Sequence, residues 1–573
     1  MAKLSALLFL LSLFEYSNFA LGNTVSLGPS ITNFQFFHLK NDLEDPVFKK
    51  LHSMRLPQSF VRHENFRLKS TQHPPSEVIY GNSEIGFFSS KNFKVDKDSL
   101  LFTFIPPSYR KPIEFTAIYP ERNGSKKMAL GERKYGDPLG NDLKKFIDVK
   151  QTPSFPFVMI NWQFGKIFPV VLNRLGEVVW IVDTPSPAED GSSIAYDILE
   201  NGDFLFLRVE NTSLFQVSAF GETRAEMFFG DPRINLPSSH TVQYLKDTNE
   251  ILFLSFESRV LPWWKEFISL FKGPMGWLRL MTLPRRTYRS GRLIQMSLND
   301  YSYREIWNSY KTFSPDRDIN LAVGFLTMAD RFQDAKDENE YRALLDERTY
   351  SGWYGWPDHF ANAEWTHENS AQFVKGKGYL ISVRNLNEII LLDEAGHLKW
   401  RMGEGKTNHD YYFERSMEGP SFSMQHSAVF MRDGRILLYD NHTPYRGFTG
   451  IRHGNQLMIL DPKTPGPILP EWTFLLPNPH SDVRGSTEEL ANGNVFAYTA
   501  GNPGLPGELW EVDPKTSTIV GNIELQMHAL MRGIEAKPFY GFAGDKYLGS
   551  TYSFIGETPP TQKEAHDLLE FSY

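Results

Sequence analysis

A hairpin phrase that keeps returning along the chain limits the fold more than any other feature. Each copy opens on a polar residue, runs through a short strand to an Asn-Gly or Asp-Gly type turn, and continues as an apolar strand. The copies are Ala195–Leu207 around Asn201-Gly202, His240–Leu245 with Ile251–Leu254, His367 with Tyr379–Ser382, His426–Leu438 around Asp433-Gly434, and Ser486–Ala497 around Asn492-Gly493. A second phrase alternates with the first: an apolar strand reaching Asp393–Gly396 before Trp400, Asp461–Thr464 before Trp472, and Asp513–Thr516 after Trp510. Asp, Pro and Gly at those places are turn formers and need no chemistry. Two hairpins make a four-stranded blade, and the count from Phe157 onward predicts an all-β, six-bladed β-propeller over residues 151–573.

Residues 23–150 lack the repeat. Leu100–Ile105 and Ile113–Tyr119 read as short strands, so this region is expected to be a small N-terminal β-rich domain. Ahead of it, residues 1–22 carry Lys3, an apolar run Leu4–Phe14 and a small-residue exit at Ala20-Leu21-Gly22. That run is too short for a bilayer core of roughly 30 Å, so it reads as a secretory signal peptide, and the protein as periplasmic or extracellular. The alternative is an uncleaved anchor. With no cysteine among 573 residues, disulfides, thiolate metal sites and a cysteine nucleophile are all excluded. A net charge of -8 provides no basic field for nucleic acid.

Two insertions interrupt the repeat, at about 261–290 and 333–350. The first mixes Trp263, Trp264, Phe267 and Phe271 with Arg285, Arg286, Arg289 and Arg292, a composition suited to peripheral contact with an anionic membrane or to packing on the propeller with its cations outward. The second, around Gln333–Tyr341, reads as a solvated acidic segment. Asn123, Asn211 and Asn441 stand in Asn-x-Ser/Thr sequons.

Trp365–Ser370, then Ser382–Glu388, then Gln425–Ala428 with Tyr439-Asp440-Asn441 and Tyr445-Arg446-Gly447, resemble the bacterial arylsulfotransferases, which move sulfate between phenols without a nucleotide donor. The resemblance is good from about Gly352 to Pro538, weaker over Phe157–Arg259 and poor before residue 150. It implies a six-bladed propeller with an N-terminal β-domain, no cofactor, a phenolic sulfate donor and a phenol acceptor. It also implies active-site roles for His367 and His426 and a sulfate-contacting role for Arg446. Sulfuryl transfer needs a nucleophile on sulfur, cationic donors on the sulfuryl oxygens and a proton for the departing phenolate, work suited to histidine and arginine.

The last repeat departs from the family. The family's sulfate-accepting histidine stands directly before an aromatic-Arg pair, whereas this chain reads Gln526–Ile534 with Leu530 in that register ahead of Arg532 and with His528 two residues earlier. In a strand that displacement is about 6.6 Å along the same face. His528 is the candidate nucleophile if a bulge restores its reach. His240 opens an equivalent strand and reads as a packing residue bordering the channel. Seven of the fifteen histidines lie between His359 and His453, but none shows tight metal-ligand spacing, so no metal is expected. The competing functional class is a non-catalytic propeller that binds an anionic or aromatic ligand or a protein partner, and a homodimer through the N-terminal domain is compatible with either.

Overall fold

A computed structural model describes residues 61–539 and 553–556, apart from internal stretches of which the longest are 182–193, 261–286, 314–361, 442–454 and 526–536. The described chain is all-β. Near its start, strands Arg62–Arg67, Phe93–Asp96 and Ser99–Phe104 form one sheet. Glu77–Asn82, Gly86–Ser90, Ile113–Glu121 and Gly124–Arg133 form another, joined by Ser553–Gly556. The two are cemented by aromatic rings that strand alternation turns inward: Tyr80 lies 5.4 Å from Phe102, and Phe104 5.2 Å from Phe115, centroid to centroid. Both strands expected before residue 150 are therefore present. Phe88 continues the same core onto Phe157 at 5.2 Å.

Six further sheets among the described residues each contain four antiparallel strands in sequence order, with one informative exception. The sheet built on Phe157–Phe164, Lys166–Asn173 and Val178–Ile181 takes its fourth strand, Lys537–Phe539, from far along the chain. Ile147–Gln151 is likewise added to the outer edge of the sheet that ends in Thr518–Leu525. These exchanges tie the two ends of the repeat region together by main-chain hydrogen bonds. Glu511 reinforces the seam, accepting from the Ser154 hydroxyl at 2.6 Å and from Asn492 at 3.0 Å while almost wholly buried.

The first strands of neighbouring sheets lie side by side: Ile194–Ile198, Ser238–Leu245, Glu368–Val374, His426–Phe430 and Ser486–Glu489. A strand with a sheet neighbour on one edge alone leaves main-chain N–H groups to be satisfied on the other. Here the adjacent sheet supplies side-chain acceptors. Asp197 takes the Tyr244 N–H at 2.7 Å, Gln243 takes the Phe373 N–H at 2.7 Å, and Gln372 takes the Phe430 N–H at 2.7 Å. Polar residues recurring in otherwise apolar strands thus join one sheet to the next.

Glu508, second in the strand Gly507–Asp513, lies directly across from Glu524. Burial, and then the Glu524 carboxylate, push its pKa up to about 8, with Lys150 opposing. The folded value exceeds the ordinary glutamate value of 4.5, so stability from this group is present below about 4.5 and is lost as pH rises through about 8. Glu508→Gln is expected to raise Tm relative to the parent protein at about pH 9, with the gap closing as pH falls toward 4.5, as read by thermal unfolding across pH.

Candidate functional site

Three of the first strands, Ser238–Leu245, Glu368–Val374 and His426–Phe430, begin with a local fault. The ladder shifts register between Ser239 and Val242, between Glu368 and Ser370, and between His426 and Val429. His240, His367 and Ser427 take positive φ values of 48°, 50° and 51°. A bulge of this kind re-aims a side chain that regular pleating would send into a sheet face, and a non-glycine residue at positive φ persists only where its surroundings hold it. The strand-opening histidines are thereby turned toward one another.

His240 and His367 meet Nε2 to Nε2 at 2.8 Å, with ring centroids 4.7 Å apart. Two imidazole nitrogens make such a bond only when one carries the proton and the other the lone pair, so the pair holds a single transferable proton between them. His240, expected to pack, is therefore half of a polar couple. His367 and His426 are both buried, at 7% and 4% exposure.

Arg384 completes the cluster. It follows the buried strand Gly378–Val383 in a single helical turn, Arg384–Leu386, which Asn387 closes at φ 51°. The guanidinium is 3% exposed and donates to Asn385 Oδ1 at 3.0 Å. The turn is held against the His426 strand from both sides. Met424 N–H donates to Asn387 Oδ1 at 2.8 Å, and Gln425 Nε2 donates to the Glu388 carbonyl at 2.9 Å. Sequence reading assigned no role to Arg384, although it lies within the motif Ser382–Glu388; the available signal was an arginine directly after a largely apolar strand, a place where charge is costly without a task.

His426 is almost as deeply buried as Arg384. Burial first, then the positive charge of Arg384, then His240 and His367, hold its pKa well below the ordinary histidine value, with the hydrogen bond it donates to Asn441 Oδ1 acting the other way. It is therefore a neutral imidazole at neutral pH. Two further groups near it have shifted pKa values. Arg484 has its pKa lowered by burial, and Tyr498, raised by burial, senses the Arg484 charge.

His528, Leu530, Arg532 and Arg446 lie outside the described residues, as do residues 1–22, Asn123, Asn211 and the greater part of both insertions. The described tail of the first insertion belongs to the strand Thr287–Ser297, in which Arg292 pairs with Glu305 at 2.7 Å rather than standing free for a membrane. Asn441, in the third sequon, has a fully buried side chain bonded to His426. Among the described residues no group of three His, Asp or Glu side chains is arranged to hold a metal, and no helix is long and apolar enough to cross a membrane.

Residues 335–518 match the family described as arylsulfotransferase (ASST). The match covers about a third of the chain, and the likeness to arylsulfotransferases is a likeness of that stretch. It spans His367, Arg384, His426, Asn441 and Arg484. No curated protein matches the chain. Among solved structures, a protein of unknown function from Bacteroides caccae is 11% identical, with 66% of this chain and 97% of that one covered at a TM-score of 0.36. A virginiamycin B lyase from Staphylococcus aureus is 9% identical, with 66% and 99% covered at 0.31. A streptogramin B lyase is 10% identical, with 81% and 98% covered at 0.31. Likeness at these scores bears on neither mechanism nor substrate.

Proposed function

We propose that this protein is an exported, six-bladed propeller that moves a sulfuryl group from a phenolic sulfate ester to a phenol through a histidine, with no nucleotide donor. The observation that carries the reading is the cluster itself: a neutral buried imidazole at His426, a buried guanidinium at Arg384 close enough to lower the His426 pKa, and a one-proton couple at His240 and His367. Those are the three parts the chemistry requires. The six successive sheets, tied end to end by Lys537–Phe539, support the blade count.

In the first half-reaction the His426 lone pair forms the N–S bond while the S–O bond to the aryl oxygen breaks, and the electron pair leaves on that oxygen. The departing phenolate takes the proton of the His240–His367 couple. Arg384 holds the sulfuryl oxygens, whose charge is redistributed in the transition state. An acceptor phenol then attacks sulfur, returns its proton to the couple and frees His426. The chemistry selects a donor with a good phenolic leaving group.

The test is release of nitrophenolate from 4-nitrophenyl sulfate by the purified protein, with and without added phenol and without nucleotide, followed by rapid quenching and peptide mapping for an acid-labile sulfo-histidine. The label is expected on His426. Label on His528 would transfer the nucleophile to the position suggested by sequence. Arg384→Ala is expected to lower kcat/KM by about 10²- to 10³-fold while leaving the fold intact. One observation favours a second reading, a ligand-binding propeller without turnover: His426 Nε2 already accepts the Arg484 N–H at 3.2 Å. Arg384-dependent binding of aryl sulfate with no release across a panel of phenols would establish that reading instead.

A further inference from the structure

His426, Asn441 and Arg484 form a closed ring of three hydrogen bonds, and its logic admits one assignment of protons. Asn441 Nδ2 donates to the Arg484 carbonyl at 2.7 Å. A carbonyl can only accept, so the carboxamide orientation is settled, and its Oδ1 is the atom 2.5 Å from His426 Nδ1. That oxygen also only accepts. Nδ1 therefore carries the proton, and Nε2 carries the lone pair that receives the Arg484 N–H at 3.2 Å. Placing a second proton on Nε2 would set two N–H groups against each other.

We propose that Asn441 is a positioning residue which commits His426 to the Nδ1–H tautomer and keeps its Nε2 unprotonated; the inference deepens the reading of His426 as the sulfuryl acceptor and rests on it. Three features of the fold hold the ring closed. Arg484 takes φ 69°, a left-handed conformation that brings its N–H and C=O to the same neighbours. Gly485 follows at φ 122°, and a Cβ there would stand 2.2 Å from the Tyr439 ring, so glycine is required. Tyr439 in turn pairs across the sheet with His426 and bonds Thr499 at 3.1 Å. Asn441 is fully buried and also takes part, through its own carbonyl, in a bond from Asn455 Nδ2 at 3.0 Å.

The arrangement suits the transfer. As Nε2 bonds to sulfur the ring becomes cationic, and Asn441 Oδ1 already accepts from Nδ1–H, the proton that grows more acidic at that moment. The Arg484 N–H, released from the spent lone pair, is left beside the incoming sulfuryl oxygens. The groups facing His426 from the packed strands are Arg384, His240 and His367, all of which disfavour the imidazolium.

The experiment uses the full-length protein labelled with 15N-histidine, with a His426→Phe variant to assign the resonance. His426 is expected to show a protonated Nδ1 and an unprotonated Nε2, and to remain neutral at pH 6.5, the ordinary value. Asn441→Leu and the smaller Asn441→Ser should both mix the tautomers, and should lower kcat by about 10²-fold with KM changed less than about threefold. An Nε2–H tautomer in the parent protein, or an unaltered tautomer in a folded Asn441 variant, overturns the proposal. The nitrogen spectra do not depend on turnover. A locked tautomer in a protein that transfers no sulfate would therefore leave the positioning role standing while removing the sulfotransferase reading.

Discussion

Replacing His426 by alanine is expected to reduce phenol-dependent nitrophenolate release by at least about 10³-fold, because it removes the nucleophile and not merely a binding contact. The loss should fall on kcat, with binding of a non-transferable aryl sulfonate largely retained through Arg384. In the parent protein kcat should hold steady as pH falls through the ordinary histidine range, because burial and the neighbouring cations keep His426 unprotonated there. A decline in kcat that begins at pH 6.5 and tracks His426 would contradict that assignment. Residual activity near the parent level in folded His426→Ala protein would move the chemistry to another histidine, and the sulfo-peptide map would say which.

The second large effect concerns stability. Arg401 grips the Glu388 carboxylate with two bonds, Nε at 2.9 Å and Nη2 at 2.6 Å, while His409 Nε2 stands 3.0 Å from the same carboxylate. Glu388 is fully buried, Arg401 and His409 nearly so, and the Phe313 ring covers the guanidinium at 4.8 Å. A carboxylate in such a place is tolerable only while paired, so removing one partner leaves a charge out of water without compensation. Arg401→Met is expected to lower the unfolding free energy by about 3–5 kcal/mol, measured as a fall in the denaturant midpoint at constant slope. The damage should extend to function, since the Glu388 carbonyl also receives Gln425 Nε2, the residue directly before His426. Parent-like stability in Arg401→Met would show that the carboxylate is neutralised by other means.

The two effects separate by readout. His426→Ala should abolish turnover in a protein of ordinary stability, whereas Arg401→Met should weaken the fold and disturb the site through the Gln425 tether. A double variant of Arg401→Met with Glu388→Leu, which removes the buried charge together with its partner, should recover much of the lost stability.

Much of the architecture was legible before any coordinates. Alternating apolar strands and Asn-Gly or Asp-Gly turns are local features with local causes, and the hairpins at Asp433-Gly434 and Asn492-Gly493 stand where the pattern put them, each glycine at positive φ. His367 and His426 were also legible, because each opens a strand whose flanks match a recognisable family. The cation implied by the resemblance, Arg446, and the sequence candidate for nucleophile, His528, fall outside the described residues. Arg384, His240 and Asn441 were not legible as site residues, and each for a reason of its own. Arg384 drew no separate role within its motif, His240 read as a packing residue although its partner lies 127 positions away, and Asn441 read only as a motif residue standing in a sequon.

By itself, then, the sequence determined the class of fold, the repeat unit and two of the histidines, since period-two alternation and turn chemistry act over a few residues and are written there directly. Only the tertiary structure decided which groups meet. The bulges that swing His240 onto His367, the turn that delivers Arg384, and the ring that assigns the proton of His426 all depend on first strands of different sheets lying side by side. Contacts across sheets leave no period in the chain. Burial then fixes protonation, because a neutral imidazole beside a guanidinium is a property of the desolvated cluster and of no residue within it.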